Sequence, residues 1–338
     1  MMKPLSPPGS LLVVCLRYLG DSLLLQPVLL ALHRTFPSAR LDVLVSEGTS
    51  CAIGGCPGIG RVREWPRSVV SQAALLASLP ACGYDWLVDY TGNDRSALVS
   101  LCSLARHRIA YEHPLTSRFS IRRLAYNVRP PYRKVRPHIV TQRLELIEAC
   151  GVPPMPPEFC LIPDAGALAW AEREIPATGA PRLAVHITSR DLQKAIPQRI
   201  ARTVLESASA AGWEILATCG NALQERNYLR PVVEGLPRTR VLDDISWQQL
   251  VAVIASAGKF WGADTGPAHI ASALGKPMLV HFGPSRSEHW HPLHAAGKYE
   301  THFCECLRKK SGACPKNKPG RCLESIDPSA VVLWIAGA

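Results

Sequence analysis

Short apolar runs alternate with amphipathic helices in two successive series, and this alternation limits the possible fold more than any other feature of the sequence. Continuous apolar runs are typical of parallel strands that are buried on both faces, with helices covering the sheet. The first series predicts strands at residues 11–15, 41–45 and 85–88, and the second predicts them at 183–187, 214–217, 259–261 and 277–282. The sequence therefore indicates doubly wound parallel sheets of the α/β class.

A proline-rich stretch separates the two series. Five prolines lie between residues 152 and 163, which is too many for a helix or a central strand. A chain of 338 residues is long enough for two domains that each bury a core. We expect one Rossmann-like domain over residues 1–160 and a second over 161–338, ending in a cysteine-containing loop and a helix that Asp327 caps. The expected ligand site is a cleft between them, at the carboxyl ends of the strands.

Composition excludes several classes of protein. A hydrophobic fraction of 47% with 19% charged residues is typical of an ordered globular chain. The apolar run at residues 11–16 is too short to span a membrane, and no cleavage site of a signal peptide follows it. Twelve cysteines without such a signal indicate a reducing, cytoplasmic compartment, where thiols are buried, catalytic or metal-bound more often than bridged.

A net charge of +11 favours acidic partners, which could be nucleic acid, phospholipid or phosphorylated small molecules. The charge is unevenly distributed, because residues 117–143 contain eight Lys or Arg and no Asp or Glu. This basic segment is either a solvated face or a surface for an anionic substrate or membrane.

Residues 261–283 read as the end of a strand, a tight turn, a helix and a further strand. Asp264 and Thr265 can cap the helix, Gly266 leaves the backbone bare, and Pro267 suits the first helical position. The unpaired N–H groups and the helix dipole would favour a phosphate or pyrophosphate. The simpler alternative is a well-capped helix with no ligand.

The loop after the first strand lacks the G-x-G-x-x-G spacing of a dinucleotide site, which disfavours a Rossmann dehydrogenase. Gly20 allows a sharp turn, and Asp21 follows at the start of a helix. This aspartate could accept a proton from a hydroxyl group or simply cap the helix.

Polar residues also follow two strands of the second series. Thr188, Ser189 and Lys194 follow one of them, and hydroxyls with a lysine suit a diphosphate. Glu225 follows another and could bind ribose hydroxyls or a base edge. The alternatives are an exposed lysine in a loop and a glutamate on a helix surface.

Four cysteines near the end of the chain are spaced C-x-C-x7-C-x7-C, at Cys304, Cys306, Cys314 and Cys322. They could complete a structural zinc site, although the spacing is not that of a regular zinc finger. The alternative is a set of reduced thiols that only pack.

Residues 16–45, 186–197 and 264–285 carry a resemblance that spans most of the chain. In these segments the chain resembles the bacterial lipopolysaccharide heptosyltransferases of glycosyltransferase family 9. The motif L-R-Y-L-G-D is most similar to that of the heptosyltransferase III branch. The resemblance implies a GT-B fold and an inverting, metal-independent transfer of heptose from ADP-L-glycero-D-manno-heptose to the inner core, with no cofactor required. Ile196 departs from the tryptophan that many relatives have there, which concerns the shape of the donor pocket.

The resemblance also implies roles for individual residues. Asp21 would be the base, and the donor would be bound by Thr188, Ser189, Lys194, Glu225, Asp264, Thr265, Gly266 and His269. The acceptor, a lipid A–Kdo type of lipopolysaccharide at the cytoplasmic face of the inner membrane, would be bound by Arg17, Arg118, Arg122 and Arg123. Membrane contact would be peripheral, and nucleic acid is not expected. Two alternatives stay open, namely a transferase of the same fold with another nucleotide sugar and a non-catalytic binder of anionic surfaces or nucleic acid.

Overall fold

A computed structural model describes residues 3–112, 120–131, 137–302 and 321–337. The chain forms two compact units, Met1–Leu161 and Ile162–Ala338. Both contain a parallel β-sheet with helices in the connections, as the alternating sequence predicts.

The first unit contains a five-stranded parallel sheet with the order β3-β2-β1-β4-β5. Its strands are β1 (Ser10–Cys15), β2 (Arg40–Ser46), β3 (Ile59–Trp65), β4 (Trp86–Asp89) and β5 (His107–Ile109). Every residue of β1 is buried, because this central strand has neighbours on both sides and helices on both faces. Val13 lies in register with Val43 on one side and with Val88 on the other.

The helices of the first unit are α1 (Leu19–Leu23), α2 (Gln26–Thr35), α3 (Val69–Ser78), α4 (Asp94–Cys102), α5 (Ile121–Ala125) and α6 (Ile139–Glu148). Pro27 lies in the first turn of α2, where its missing N–H costs no hydrogen bond. Asn93 and Ser96 form a reciprocal capping box at the start of α4.

The second unit contains a six-stranded parallel sheet with the order β11-β10-β9-β6-β7-β8. Its strands are β6 (Arg182–His186), β7 (Glu214–Thr218), β8 (Thr239–Leu242), β9 (Lys259–Ala263), β10 (Met278–Phe282) and β11 (Gly297–Thr301). Its helices are α7 (Ala165–Glu174), α8 (Gln198–Ala210), α9 (Leu223–Val233), α10 (Trp247–Ser256), α11 (Gly266–Ala273), α12 (Ser287–Trp290) and α13 (Pro328–Ala336). As predicted, Asp327 caps α13, accepting a hydrogen bond from the N–H of Ser329.

The core of the second unit lies where α8 and α13 pack against the sheet. Ile200, Val204, Val331 and Ile335 are buried there together with Trp261 of β9. No helix in the described ranges combines the length and the apolar character that a membrane crossing requires.

The cysteines differ in one respect from the expectation of unbridged thiols. Cys56 and Cys160, whose Cα atoms are 5.7 Å apart, are joined in a disulfide within the first unit. The spacing of 104 residues between them gave no signal in the sequence, since only the fold brings them together.

Candidate functional site

The predicted donor-binding residues of the second unit lie at one edge of its sheet. Strands β10, β9, β6 and β7 are adjacent and parallel, so their carboxyl ends share that edge. Thr188, Asp264 and Ser285 each follow one of these strands directly or within three residues. Such an edge is where open α/β sheets bind ligands.

Lys194 and Asp264 form an ion pair at this edge. Nζ of Lys194 lies 3.0 Å from Oδ2 of Asp264, and the Oγ of Ser285 donates a hydrogen bond to the same carboxylate oxygen. The Asp264 side chain is only 7% exposed, whereas that of Lys194 is 31% exposed. The carboxylate is therefore held from two directions, and the ammonium group remains accessible to a ligand.

Helix α11 begins beside this pair, although not with the predicted caps. Thr265 is the N-cap residue, but neither its side chain nor that of Asp264 caps the helix, because Asp264 binds Lys194 and the Thr265 hydroxyl donates to the carbonyl of Ala263. Pro267 occupies the second helical position rather than the first.

The start of α11 is consequently open to an anion. Among the described residues, the N–H groups of Thr265 and Gly266 have no hydrogen-bond acceptor. A Cβ atom added at Gly266 would meet no atom within 4 Å, so the backbone there borders open space. Free N–H groups at the positive end of a helix dipole suit a phosphate group.

Glu225 of α9 is buried rather than on a helix surface. It is 6% exposed and accepts hydrogen bonds from Thr188 Oγ1 at 2.9 Å and from the Gly220 N–H at 3.2 Å. Gly220 leaves the room for it, because an added Cβ would lie 2.3 Å from Glu225 Oε1. Two fixed donors thus orient a carboxylate close to the end of β6.

Two further predicted donor residues lie near the same edge. Ser189 is 8% exposed and follows Thr188 in the loop after β6. His269 lies on α11 and is half-buried, with its ring centroid 6.3 Å from that of Trp290. Ser285 is the last residue of the segment 264–285 that carries the family resemblance, and no role was predicted for it. Its position just after β10 was the signal that could have identified it.

Asp21 lies in the first turn of α1, after the central strand of the first unit. It does not cap that helix, whose N-cap residue is Tyr18. Instead, Arg143 donates through Nη2 to Asp21 Oδ1 at 2.8 Å and through Nη1 to the Asp21 carbonyl at 2.6 Å. Oδ2 of Asp21 accepts no hydrogen bond from the described residues, so one carboxylate oxygen is held and the other is available.

Arg143 is the residue at this site that the sequence did not identify. It is 3% exposed and lies on α6, 122 positions from Asp21. The sequence included it only as the last residue of the basic segment. A buried guanidinium with this two-point contact fixes the position of the carboxylate.

Two of the acceptor-binding candidates lie near the carboxyl ends of strands in the first sheet, since Arg17 follows β1 and Arg122 contacts Asp94, which follows β4. Arg17 is exposed and donates to the carbonyl of Thr91, whose hydroxyl accepts from the Leu16 N–H. Arg122 pairs with Asp94 at 2.8 Å, at the start of α4, and Arg123 is exposed on α5. Arg118 lies outside the described residues.

Most of the cysteine motif also lies outside the described residues, namely Cys304, Cys306 and Cys314. Cys322 is described and half-buried, in a short 3-10 helix before α13. The predicted cysteine zinc site thus stays a prediction.

A family model described as glycosyltransferase family 9 (heptosyltransferase) matches residues 72–318. Lipopolysaccharide heptosyltransferase 3 of Escherichia coli K12 is 24% identical over 291 residues, which cover 82% of this chain and 83% of the relative.

Solved structures show the same fold. The E. coli heptosyltransferase WaaC with ADP aligns over 97% of this chain and 99% of its own, with a TM-score of 0.76 and 21% identity. The E. coli ADP-heptose lps heptosyltransferase II aligns over 97% and 98%, with a TM-score of 0.79 and 19% identity. The chain is therefore similar to two-domain GT-B transferases over nearly its whole length.

Proposed function

The chain belongs to glycosyltransferase family 9, the heptosyltransferases, and from this premise we propose that it transfers heptose from ADP-heptose to the inner core of lipopolysaccharide. The observation that carries the proposal is the grouping of Lys194, Asp264 and the open start of α11 at one sheet edge. Such a group suits a nucleoside diphosphate as leaving group. A curated relative named for the same reaction and a similar fold solved with ADP support this donor.

The donor would lie with its diphosphate against Lys194 and the N–H groups of Thr265 and Gly266. Negative charge develops on the diphosphate as the bond to the sugar breaks, and these donors are oriented before the reaction begins. We propose a metal-independent step because an ammonium group and a helix start already supply the positive charge. The buried carboxylate of Glu225 would bind hydroxyls of the nucleoside.

The acceptor hydroxyl would be activated by Asp21. We propose a single displacement with inversion, in which Oδ2 of Asp21 takes the proton while the acceptor oxygen attacks the anomeric carbon and ADP leaves from the opposite face. Arg143 would act as a positioning residue, because it holds Oδ1 and the carbonyl of Asp21. General-base assistance contributes about 100-fold or more to a rate.

The acceptor would be an anionic, lipid-linked sugar. Arg17 and Arg123 are exposed cations of the first unit that would bind its phosphates and carboxylates. Leu124, next to Arg123, is 75% exposed, and Tyr18, next to Arg17, is 73% exposed. Exposed apolar groups beside cations suit an anionic membrane surface, so we propose a peripheral location at the cytoplasmic face of the inner membrane.

The test is a transfer assay with ADP-heptose and a defined inner-core acceptor, read by ADP release and by the mass of the product. We expect Asp21→Asn to lower turnover about 100-fold or more, since the amide keeps the hydrogen bond from Arg143 and cannot accept the proton. Asp244→Asn is the matched control, because Asp244 is exposed and pairs only at the surface with Arg226.

Two results would contradict the proposal at different points. Full turnover by Asp21→Asn would remove Asp21 as the base while leaving the transferase assignment in place. Turnover of a hexose donor without turnover of ADP-heptose would instead overturn the choice of sugar.

A further inference from the structure

Two histidines and a glutamate, none of which is assigned to the donor, meet on the neighbouring strands β10 and β11 of the second sheet. His281 lies in β10 and is in register with Glu300 of β11, and His302 directly follows β11. The N–H of His302 donates to the carbonyl of Phe282 at 2.8 Å, which continues the pairing of the two strands. The strand register thus brings the three side chains to one point.

The three nearest polar atoms form a compact triangle. Nδ1 of His281 lies 3.1 Å from Nε2 of His302 and 3.3 Å from Oε2 of Glu300, and the last two atoms are 3.7 Å apart. Ligands of a tetrahedral zinc ion at about 2.1 Å lie about 3.4 Å from one another. The observed separations are centred on that value.

The hydrogen bonds around the triangle favour a cation within it. Nδ1 of His302 lies 2.8 Å from the hydroxyl of Ser325, and in the tautomer that donates to Ser325 the Nε2 lone pair faces the triangle. Oε2 of Glu300 is also an acceptor and lies 3.7 Å from this Nε2, so two acceptor atoms face each other with no proton between them. The buried His281 ring makes its polar contacts with Nδ1, whereas its Nε2 has no hydrogen-bond partner among the described residues. An outer partner such as Ser325 is typical of metal-bound histidines.

We propose that Nδ1 of His281, Oε2 of Glu300 and Nε2 of His302 bind a divalent transition-metal ion, zinc, which joins β11 to β10. Two imidazoles with one carboxylate suit zinc or iron(II) better than magnesium or calcium, and the tetrahedral spacing favours zinc. Burial of both histidines, at 0% and 8% exposure, supplies the low-dielectric surroundings in which the bonds are strong.

The proposed role is structural. β11 is an edge strand whose residues are largely exposed, so few apolar contacts hold it. The loop after β10 carries Ser285, which binds the Asp264 carboxylate. A metal ion between β10 and β11 would stabilise the strand that positions this loop. No residue of the cysteine motif belongs to the proposed ligand set.

The test uses the full chain without a polyhistidine tag, expressed with added zinc and purified without chelators. We expect about one zinc per chain by elemental analysis. Glu300→Gln and His302→Gln are expected to lose most of this zinc. Glu288→Gln and His294→Gln are the matched controls and should retain it, since both residues are exposed and lie in the same unit.

Two further measurements distinguish metal loss from misfolding. Cobalt added to the metal-free protein should give the visible absorption of a tetrahedral site in the wild type and not in Glu300→Gln. A chelator should lower the Tm of the wild type and leave that of Glu300→Gln unchanged, because only a protein that binds the ion gains stability from it.

Absence of stoichiometric metal from the wild type would overturn the proposal. So would zinc that is retained by Glu300→Gln and His302→Gln but lost from a Cys304→Ser/Cys306→Ser variant, because the cysteines would then hold it. Iron in place of zinc, lost from the same two variants, would support the site and correct only the metal.

Discussion

The Nζ of Lys194 lies 3.0 Å from the carboxylate of Asp264, and this pair governs how much positive charge the candidate donor site presents. The ammonium group is the exposed partner, so it can bind a diphosphate while still near Asp264. We expect Lys194→Ala to raise the Kd for ADP about 10-fold or more, which corresponds to about 1.4 kcal/mol. Isothermal titration calorimetry with ADP measures this directly.

The matched control is Lys298→Ala, which removes an exposed lysine from β11 of the same unit. It should change the Kd for ADP little, because Lys298 is not among the residues of the candidate donor site. Both variants lose one positive charge, so a difference between them cannot come from the net charge. Equal ADP affinity in Lys194→Ala and Lys298→Ala would mean that Lys194 does not bind the diphosphate.

At the residue scale, side chains that follow strands could be predicted from the sequence, whereas contacts between distant side chains could not. Lys194, Asp264 and Glu225 could be identified because each follows a central strand, and parallel strands share an edge. The contact of Arg143 with Asp21 could not be predicted, because 122 residues separate them and only the packing of α6 brings them together. Thr265 is the N-cap residue of α11, but the predicted side-chain caps were wrong for a related reason, since the tertiary partner Lys194 takes the carboxylate of Asp264.

At the scale of elements, burial decided what the sequence could predict. The central strands are largely apolar and buried, and all of them were predicted, namely β1, β2, β4, β6, β7, β9 and β10. The strands that were missed, β3, β5, β8 and β11, are the four edges of the two sheets. Edge strands are exposed on one side, so they need no apolar run and leave little periodic signal.

A close approach between β6 and β9 gives a prediction for these elements. Gly262 pairs with His186, and a Cβ added at Gly262 would lie 2.5 Å from the His186 carbonyl oxygen and 3.1 Å from the Phe260 ring. We expect Gly262→Ala to lower the free energy of unfolding by about 1–3 kcal/mol, because a packed sheet must shift to make room. Urea denaturation of the purified protein measures the change.

Gly258→Ala is the matched control. It also faces β6, but its added Cβ would meet the Arg182 carbonyl oxygen at an ordinary 3.7 Å. Since β6 and β9 lead to Thr188 and Asp264, Gly262→Ala should also weaken ADP binding, whereas Gly258→Ala should not. A loss of stability as large in Gly258→Ala as in Gly262→Ala would contradict the close-approach argument.

At the scale of the whole molecule, buried histidines should make stability depend on pH. Burial lowers the pKa of His186 from 6.5 to about 4, and it also lowers the pKa values of His107 and His291. Between pH 6.5 and 4 the unfolded chain therefore binds more protons than the folded chain, so stability falls as the pH falls. Asp89 opposes this trend, because burial raises the pKa of its carboxyl above 3.8, so the folded chain keeps a proton there that the unfolded chain has already lost.

The contribution of His186 can be isolated by unfolding in urea at pH 7 and pH 5, read by tryptophan fluorescence. Because the unfolded histidine takes up its proton near pH 6.5, His186 alone should cost the wild type about 2 kcal/mol between these values. His186→Gln, whose amide can still reach the Thr218 hydroxyl, should lose correspondingly less, whereas the exposed His294→Gln should behave as the wild type. An equal loss in His186→Gln and the wild type would show that His186 is protonated in the folded protein, and the acid sensitivity would then belong to other groups.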